Sequence, residues 1–283
     1  MTKRSYHIAV LCFLSLLVVT GCSSFRDKLK GSPGTTDATV EKQEPVEKMY
    51  ARAARQMDEG RYADAAKAFD EVEQNHPYSQ WAIRAQLMAG YASYKNMKYD
   101  AALLALDRFI ELHPGDENIS YAYYLRALCY YEQISDVRRD QKMTEMALDG
   151  LKQVRERFPD GPYARDAALK IDLTMDHLAG KEMEIGRYYL ERKQYQAAIN
   201  RFEKVVEQYQ TTTHVPEALH RLTEAYLSLG IVDEARKAAA ILGRNYPQSA
   251  WYRDSYRLVG APQQQGAPAA DSLYSKTLGK ILN

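Results

Sequence analysis

The stretch AALLALDRFIELHP, residues 101–114, decides how the whole chain is read. It places Ala102 four residues before Leu106 and twelve before Pro114, with apolar side chains at helical spacing between them. Proline has no backbone N–H to donate and drives the residue before it out of the helical region, so the helix must stop there. The frame recurs along the chain. Ala65-x3-Phe69 precedes Pro77, Ala147-x3-Leu151 precedes Pro159, and Ala235-x3-Ala239 precedes Pro247. Ala198-x3-Phe202 fits the same frame with Gln210 in the proline slot and Thr211, Thr212 and Thr213 after it, so this loop is expected to be longer or more mobile than the others. No run of alternating β-branched residues interrupts the pattern.

A small residue followed one turn later by a bulky one, on a second helix ended by proline, resembles the tetratricopeptide repeat. The first-helix half agrees: Ala53, Gly90 and Gly186 stand twelve residues before their alanines, where two helices approach closely, and Tyr189 and Tyr226 fill a large-aromatic slot nine residues before theirs. Successive alanines are 37, 45, 51 and 37 residues apart, expanded from the usual repeat of about 34. The third repeat carries an insertion near residues 135–140, and a long helix is expected over residues 163–191. The resemblance implies an all-α fold, a right-handed superhelix of about five tetratricopeptide-like helix-turn-helix repeats. Repeats 1–3 fall in residues 46–160 and repeats 4–5 in residues 161–260. Stacking buries the apolar face that each helix pair cannot cover alone.

In such a repeat the first helices line the inner groove. Helical spacing projects Tyr50, Arg84, Leu87, Tyr91, Tyr94, Lys95, Tyr121, Tyr124, Leu128 and Tyr131 toward it, an aromatic ladder in a chain with 22 Tyr against 6 Phe. A row of tyrosines grips an extended peptide through flat apolar rings and hydroxyl hydrogen bonds. Arg84 and Lys95 suit a carboxylate, a free C-terminus included. The expected ligand is an unfolded, aromatic-rich chain.

The N-terminus carries a different message. Lys3 and Arg4 precede an apolar run from Ile8 to Val19, the plan of a secretory signal peptide over residues 1–21. Val19-Thr20-Gly21-Cys22 resembles the bacterial lipobox, which implies that Cys22 is lipidated and becomes the mature N-terminus. Ser23 in the next position favours export to the outer membrane, with the body on the periplasmic face. Residues 22–45, rich in Ser, Gly, Thr, Pro and charge, read as a flexible tether. Residues 261–283 read as a low-complexity linker followed by a short amphipathic tail with Leu273, Leu278, Ile281 and Leu282 on one face. With Cys12 lost and Cys22 acylated, Cys129 remains alone and forms no internal disulfide.

Nothing in the sequence points to catalysis, a metal or a cofactor. His76 and His113 sit directly before the repeat-ending prolines and read as turn residues, and His214 and His220 are six apart, nearly opposite on a helix. There is no G-x-S-x-G elbow, phosphate loop or GxGxxG. A net charge of +1 gives no field suited to nucleic acid.

Lipobox, tether and five such repeats together resemble the BamD family, lipoproteins of the machinery that folds β-barrels into the bacterial outer membrane. Closer stretches agree: Tyr91-Ala-Ser-Tyr-Lys-Asn96, Asp107-Arg-Phe-Ile110 before His113-Pro114, Arg157-Phe-Pro-Asp160, Tyr188-Tyr-Leu-Glu-Arg192 and Ala197-Ala-Ile-Asn-Arg201. The resemblance covers about Val46 to Trp251. It implies that the first repeats receive the C-terminal signals of unfolded outer-membrane proteins. It also implies that the last repeats dock the periplasmic domains of the central barrel subunit, BamA, through Arg201 and Asn200, and that other lipoproteins of the complex cover the remaining face. A helix-exposed Arg201 suits a bidentate carboxylate partner. The competing expectation is a periplasmic repeat lipoprotein that organises cell-wall or division enzymes.

Overall fold

The repeated frame of small residue, bulky residue and proline turns out to set the helix ends as well as the core. The computed structural model describes residues 44–260; the expected leader, Cys22, most of the tether and the 261–283 tail lie outside the described residues. Among these the chain is helical throughout. The helices are α1 (Val46–Asp58), α2 (Tyr62–Asn75), α3 (Gln80–Lys95), α4 (Tyr99–Leu112), α5 (Ile119–Tyr131), α6 (Lys142–Arg157), α7 (Ala164–Glu191), α8 (Tyr195–Gln208), α9 (Val215–Ser228), α10 (Val232–Asn245) and α11 (Ala250–Gly260). Each packs on its neighbours in the chain, and α1–α3, α3–α5 and α9–α11 touch as well. This is an all-α stack of helical hairpins, α1/α2 to α9/α10, closed by α11.

Ala65, Phe69, Ala102, Leu106, Ala147, Leu151, Ala198, Phe202 and Ala235 are all fully buried. The small first-helix residues face the bulky member of the same frame. A Cβ on Gly90 would lie 3.0 Å from Leu106 Cγ, and one on Gly186 would lie 2.4 Å from Phe202 Cε1. In the third repeat the insertion, residues 132–141, displaces this register. There the close approach passes to α6, where a Cβ on Gly150 would meet Ala127 at 3.0 Å.

Second helices end alike. His76, His113, Phe158 and Tyr246 stand before their prolines with φ between -127° and -135° and ψ between 53° and 57°, and Tyr209 adopts φ -125°, ψ 44° without a proline after it. The Gln210 loop spans 209–214, the same length as 113–118 and 158–163 and two residues longer than 76–79 and 246–249, so the expected extra length holds against two of the four other loops. It is also tied down. Asp176 of α7 accepts from Thr213 N at 2.9 Å and from its hydroxyl at 2.8 Å, and the Thr212 hydroxyl donates to Tyr209 O. Thr212 and Thr213 do by hydrogen bonding what proline does by covalent restriction.

The turns inside the hairpins are also repeated. Gly60, Met97, Lys193 and Gly230 all have φ between 56° and 76°, the left-handed region that only glycine enters without steric cost. The 28 residues of α7 make a rod of about 42 Å, which packs on α6 with its first half and on α8 with its second.

Candidate functional site

First helices of adjacent hairpins touch at α1–α3, α3–α5 and α9–α11, whereas second helices make no comparable contact with the next second helix. The first helices thus occupy the crowded inner side of the stack, where the ladder was expected.

Four of the expected groove residues meet in one cleft of about 240 Å³: Tyr50 of α1, Arg84 and Leu87 of α3, and Tyr121 of α5. Its walls include Ile83, Met88 and Phe109, and Asp116 and Asn118 close one side. Tyr50 packs edge-on to Phe69 with ring centroids 5.3 Å apart and lies 4.8 Å from Trp81. The Arg84 guanidinium is exposed and rests 5.8 Å from the Trp81 ring centre. Leu87 is a correction: it lines the cleft but is buried, since its helix turns it into the core with Leu106 and Leu125. Leu128 is likewise packed against that core.

From this cleft the tyrosines continue as a chain of ring contacts. Tyr91 lies 6.2 Å from Tyr121, Tyr121 5.3 Å from Tyr163, and Tyr163 stacks on Tyr124 at 4.9 Å and 14°. The Tyr124 hydroxyl donates to Asp166, which pairs with Lys170 at 2.9 Å; the Lys170 ammonium in turn sits 5.5 Å over the Tyr131 ring. Sequence reasoning missed Tyr163 because it lies at the entry to α7, outside a first-helix register counted from the frame alanines. It also missed Trp81, which lies three residues before Arg84 and so on the same face.

Tyr94 and Lys95 are placed apart from the cleft. Tyr94 packs on Tyr99 at 6.0 Å and donates to Glu132 at 3.3 Å, while Lys95 reaches to 5.7 Å over the Tyr62 ring. Burial raises the hydroxyl pKa of Tyr94, Tyr121 and Tyr124, helped by Glu132 at Tyr94, by neighbouring tyrosines at Tyr121 and by the hydrogen bond to Asp166 at Tyr124. These hydroxyls therefore stay protonated donors. The Tyr124 hydroxyl and then Lys170 hold the Asp166 carboxyl below its usual pKa.

The inner face of α7, α9 and α11 has another chemistry. Arg187 donates from Nη1 to both Glu217 oxygens at 3.1 Å and from Nη2 to Glu184 at 2.8 Å. Arg221 bridges Glu217 and Glu224, and buried His220 joins Glu224 to the Ser255 hydroxyl of α11, 2.9 Å from Nδ1. This half is closed by its own ion pairs.

Arg201 lies on α8, where Nη1 donates to Glu182 at 3.0 Å; Lys204 donates to the other Glu182 oxygen at 2.6 Å. The Arg201 side chain is 39% exposed and the Glu182 side chain only 9%, so the expected helix-exposed arginine already meets a carboxylate of its own chain. It has a structural partner and an exposed edge. Asn200 is exposed and accepts from Gln196 one turn away, at 3.4 Å. Among the described residues no group of three or more His, Cys, Asp or Glu is placed to hold a metal ion.

A family model described as YfiO, outer membrane lipoprotein, matches residues 42–242. Two curated relatives carry the name outer membrane protein assembly factor BamD. That of Caulobacter vibrioides is 47% identical over 252 residues, 89% of this chain and 80% of its own. That of Rickettsia prowazekii is 45% identical over 243 residues, 86% of this chain and 92% of its own. The solved TTC0263, a thermophilic TPR protein of Thermus thermophilus, aligns over 76% of this chain and 98% of its own at 19% identity, with a TM-score of 0.36.

Proposed function

This chain belongs to the YfiO family of outer membrane lipoproteins, among relatives named BamD, and from that premise we propose that it is a lipid-anchored scaffold on the periplasmic face which hands unfolded outer-membrane proteins to their barrel-folding partner. The coarse function, a non-enzymatic factor for outer-membrane protein assembly associated with that membrane, comes with the family. The anchor at Cys22 behind a cleaved leader, the docking of BamA periplasmic domains at Asn200 and Arg201, the contacts with other lipoproteins and the capture of client C-termini are the proposal.

The observation that carries client capture is the inner cleft, where Tyr50, Tyr121, Ile83 and Met88 offer an apolar hollow with exposed Arg84 at its rim. A terminal aromatic ring fills such a hollow while its carboxylate meets the guanidinium. The test is a synthetic peptide ending in Phe, as free acid and as amide, titrated into the mature chain. Tyr121→Ala weakens both forms and Arg84→Ala weakens only the acid; equal affinity of acid and amide for the unaltered chain sinks the carboxylate reading.

For docking at Arg201, reversal to Glu is a poor probe because it would set a second carboxylate against nearly buried Glu182. Two milder variants separate the roles. Glu182→Gln leaves Arg201 cationic and retains capture of the barrel subunit's periplasmic domains, whereas Arg201→Ala loses it. Loss in both variants means that the pair serves the fold alone.

A further inference from the structure

A second cleft, of about 590 Å³, lies on the outer side between α2 and α4. It shares no lining residue with the inner cleft. Its floor is made of small residues, Ala89 and Ser93 of α3 with Ala101 and Ala105 of α4, so another backbone can approach closely. One wall carries Asp70 and Glu73, the other Leu104 and Arg108.

The two carboxylates differ. Glu73 is satisfied, since Arg108 donates to one of its oxygens and Gln86 to the other at 3.2 Å. Asp70 has no hydrogen bond or ion pair of its own among the described residues; partial burial and then neighbouring Glu73 raise its pKa, while the more distant charge of Arg108, already paired with Glu73, offsets only part of this. On α4, Ala101, Leu104, Arg108 and Leu112 recur at helical spacing and share one face, with Leu104 74% and Leu112 58% exposed. Single exposed leucines are ordinary. An aligned apolar edge beside a carboxylate with no ion pair of its own is a two-part recognition surface, area from one part and register from the other.

We infer that the outer α2–α4 cleft docks a segment of another protein that sets a Lys or Arg against Asp70 and an apolar side chain against Leu104. A cationic head is selected because the cleft's own charges, Asp70, Glu73 and Arg108, leave one carboxylate over. The inference goes beyond client capture and does not depend on it.

The test is a benzophenone amino acid at Leu104 of the full-length, membrane-anchored protein, irradiated within its assembly complex, with the fully exposed Tyr78 position as control. The expected adduct is with another subunit, through a peptide carrying Lys or Arg within one helical turn of an apolar residue. Asp70→Lys cuts the yield about tenfold or more, since like charges are brought together, and reversing the mapped basic residue to Glu restores it. Asp70 lies on the surface at the cleft wall, partly covered but bonded to nothing in the fold, so the variant should fold; should its melting temperature fall, Asp70→Asn replaces it, with an expected loss of about two- to fivefold. Tyr121→Ala leaves the adduct intact, which separates this outcome from that of the client cleft. An adduct with a second copy of this chain, with lipid or with a segment lacking a basic residue overturns the inference, as does yield indifferent to Asp70→Lys or no greater than at Tyr78.

Discussion

Gly186→Ala tests the register on which the stack depends. The added methyl carbon would lie 2.4 Å from Phe202 Cε1 and 2.8 Å from both Cδ1 and Cζ, about 1 Å inside the 3.4 Å at which ordinary contact begins. Phe202 is fully buried among Ala198, Val205, Met183 and Leu219, so the ring cannot swing into solvent. Either α7 and α8 part or the ring leaves its rotamer, and overpacking of this kind costs about 1–3 kcal/mol. Against this, Ala is favoured over Gly inside a helix by about 1 kcal/mol. The expected net loss is about 1 kcal/mol, read as a lowered urea midpoint by far-UV circular dichroism. Phe202→Leu in the same chain should relieve the clash, so the double variant is more stable than the sum of the two singles by about 1–2 kcal/mol. A raised midpoint for Gly186→Ala, as propensity alone would give, refutes the claim that this position exists to admit Phe202.

Four further outcomes follow from other features. Lys193→Gly should stabilise the chain by about 0.5–1 kcal/mol, because its φ of 59° costs a non-glycine residue about 1–2 kcal/mol and the freer unfolded chain returns only part of that; a loss of stability would mean that the lysine side chain holds the turn. Asp166 has a depressed pKa, so its contribution is complete above its unfolded value of about 3.9 and disappears as pH falls through the lower folded value. The stability difference between the parent and Asp166→Asn should therefore stay constant from pH 7 to about 5 and shrink only below about 4, and a difference that already narrows at neutral pH contradicts this. Cys129 is buried with its thiol pKa pushed up to about 12; alkylation mapped by mass spectrometry should mark it only after denaturation, and fast native labelling would show that the α5 core opens. Arg187→Ala leaves Glu217, whose side chain is 17% exposed, with Arg221 at 3.5 Å as its remaining ion pair, and should cost about 1–2 kcal/mol while leaving affinity for a peptide ending in Phe within about twofold; a large loss of affinity would place the client on α7 and α9.

Much of this architecture is legible in residue types because sterics at a few positions act through local rules. Alanine at the frame position, glycine opposite the bulky residue and proline after the second helix each act within one hairpin, so their spacing locates α2, α4, α6 and α10. What escaped was carried by tertiary context. Met97 and Lys193 hold left-handed turns that Gly60 and Gly230 advertise openly, and only comparison of the four turns reveals them. The Thr211–Thr213 stretch reads as a loosened loop until Asp176, 37 residues upstream, is seen to accept from it. The aromatic ladder was legible as a face but not as a boundary. Helical projection cannot tell that Tyr94 turns to Glu132, or that Leu87 is packed inward, since both depend on the neighbouring hairpin.

The inner face changes chemistry along α7, and this bears on where a client can lie. Up to Tyr163 the first helices present half-buried rings whose hydroxyls remain donors, a surface that gains contacts when an extended chain settles on it. Beyond Gly180 the corresponding positions are Glu184, Arg187, Glu217 and Arg221, already paired with one another at 2.8 to 3.5 Å. A client there would have to displace partly buried ion pairs, and the charges left behind would cost more than a flexible chain returns. Arg187 and Glu217 tie α7 to α9, and His220 joined to Ser255 holds α11 against α9. An aromatic half, where client capture is proposed, and a charged half closed on itself thus follow from one helix, α7, which supplies Asp166 to the tyrosines at one end and Arg187 to the ion pairs at the other.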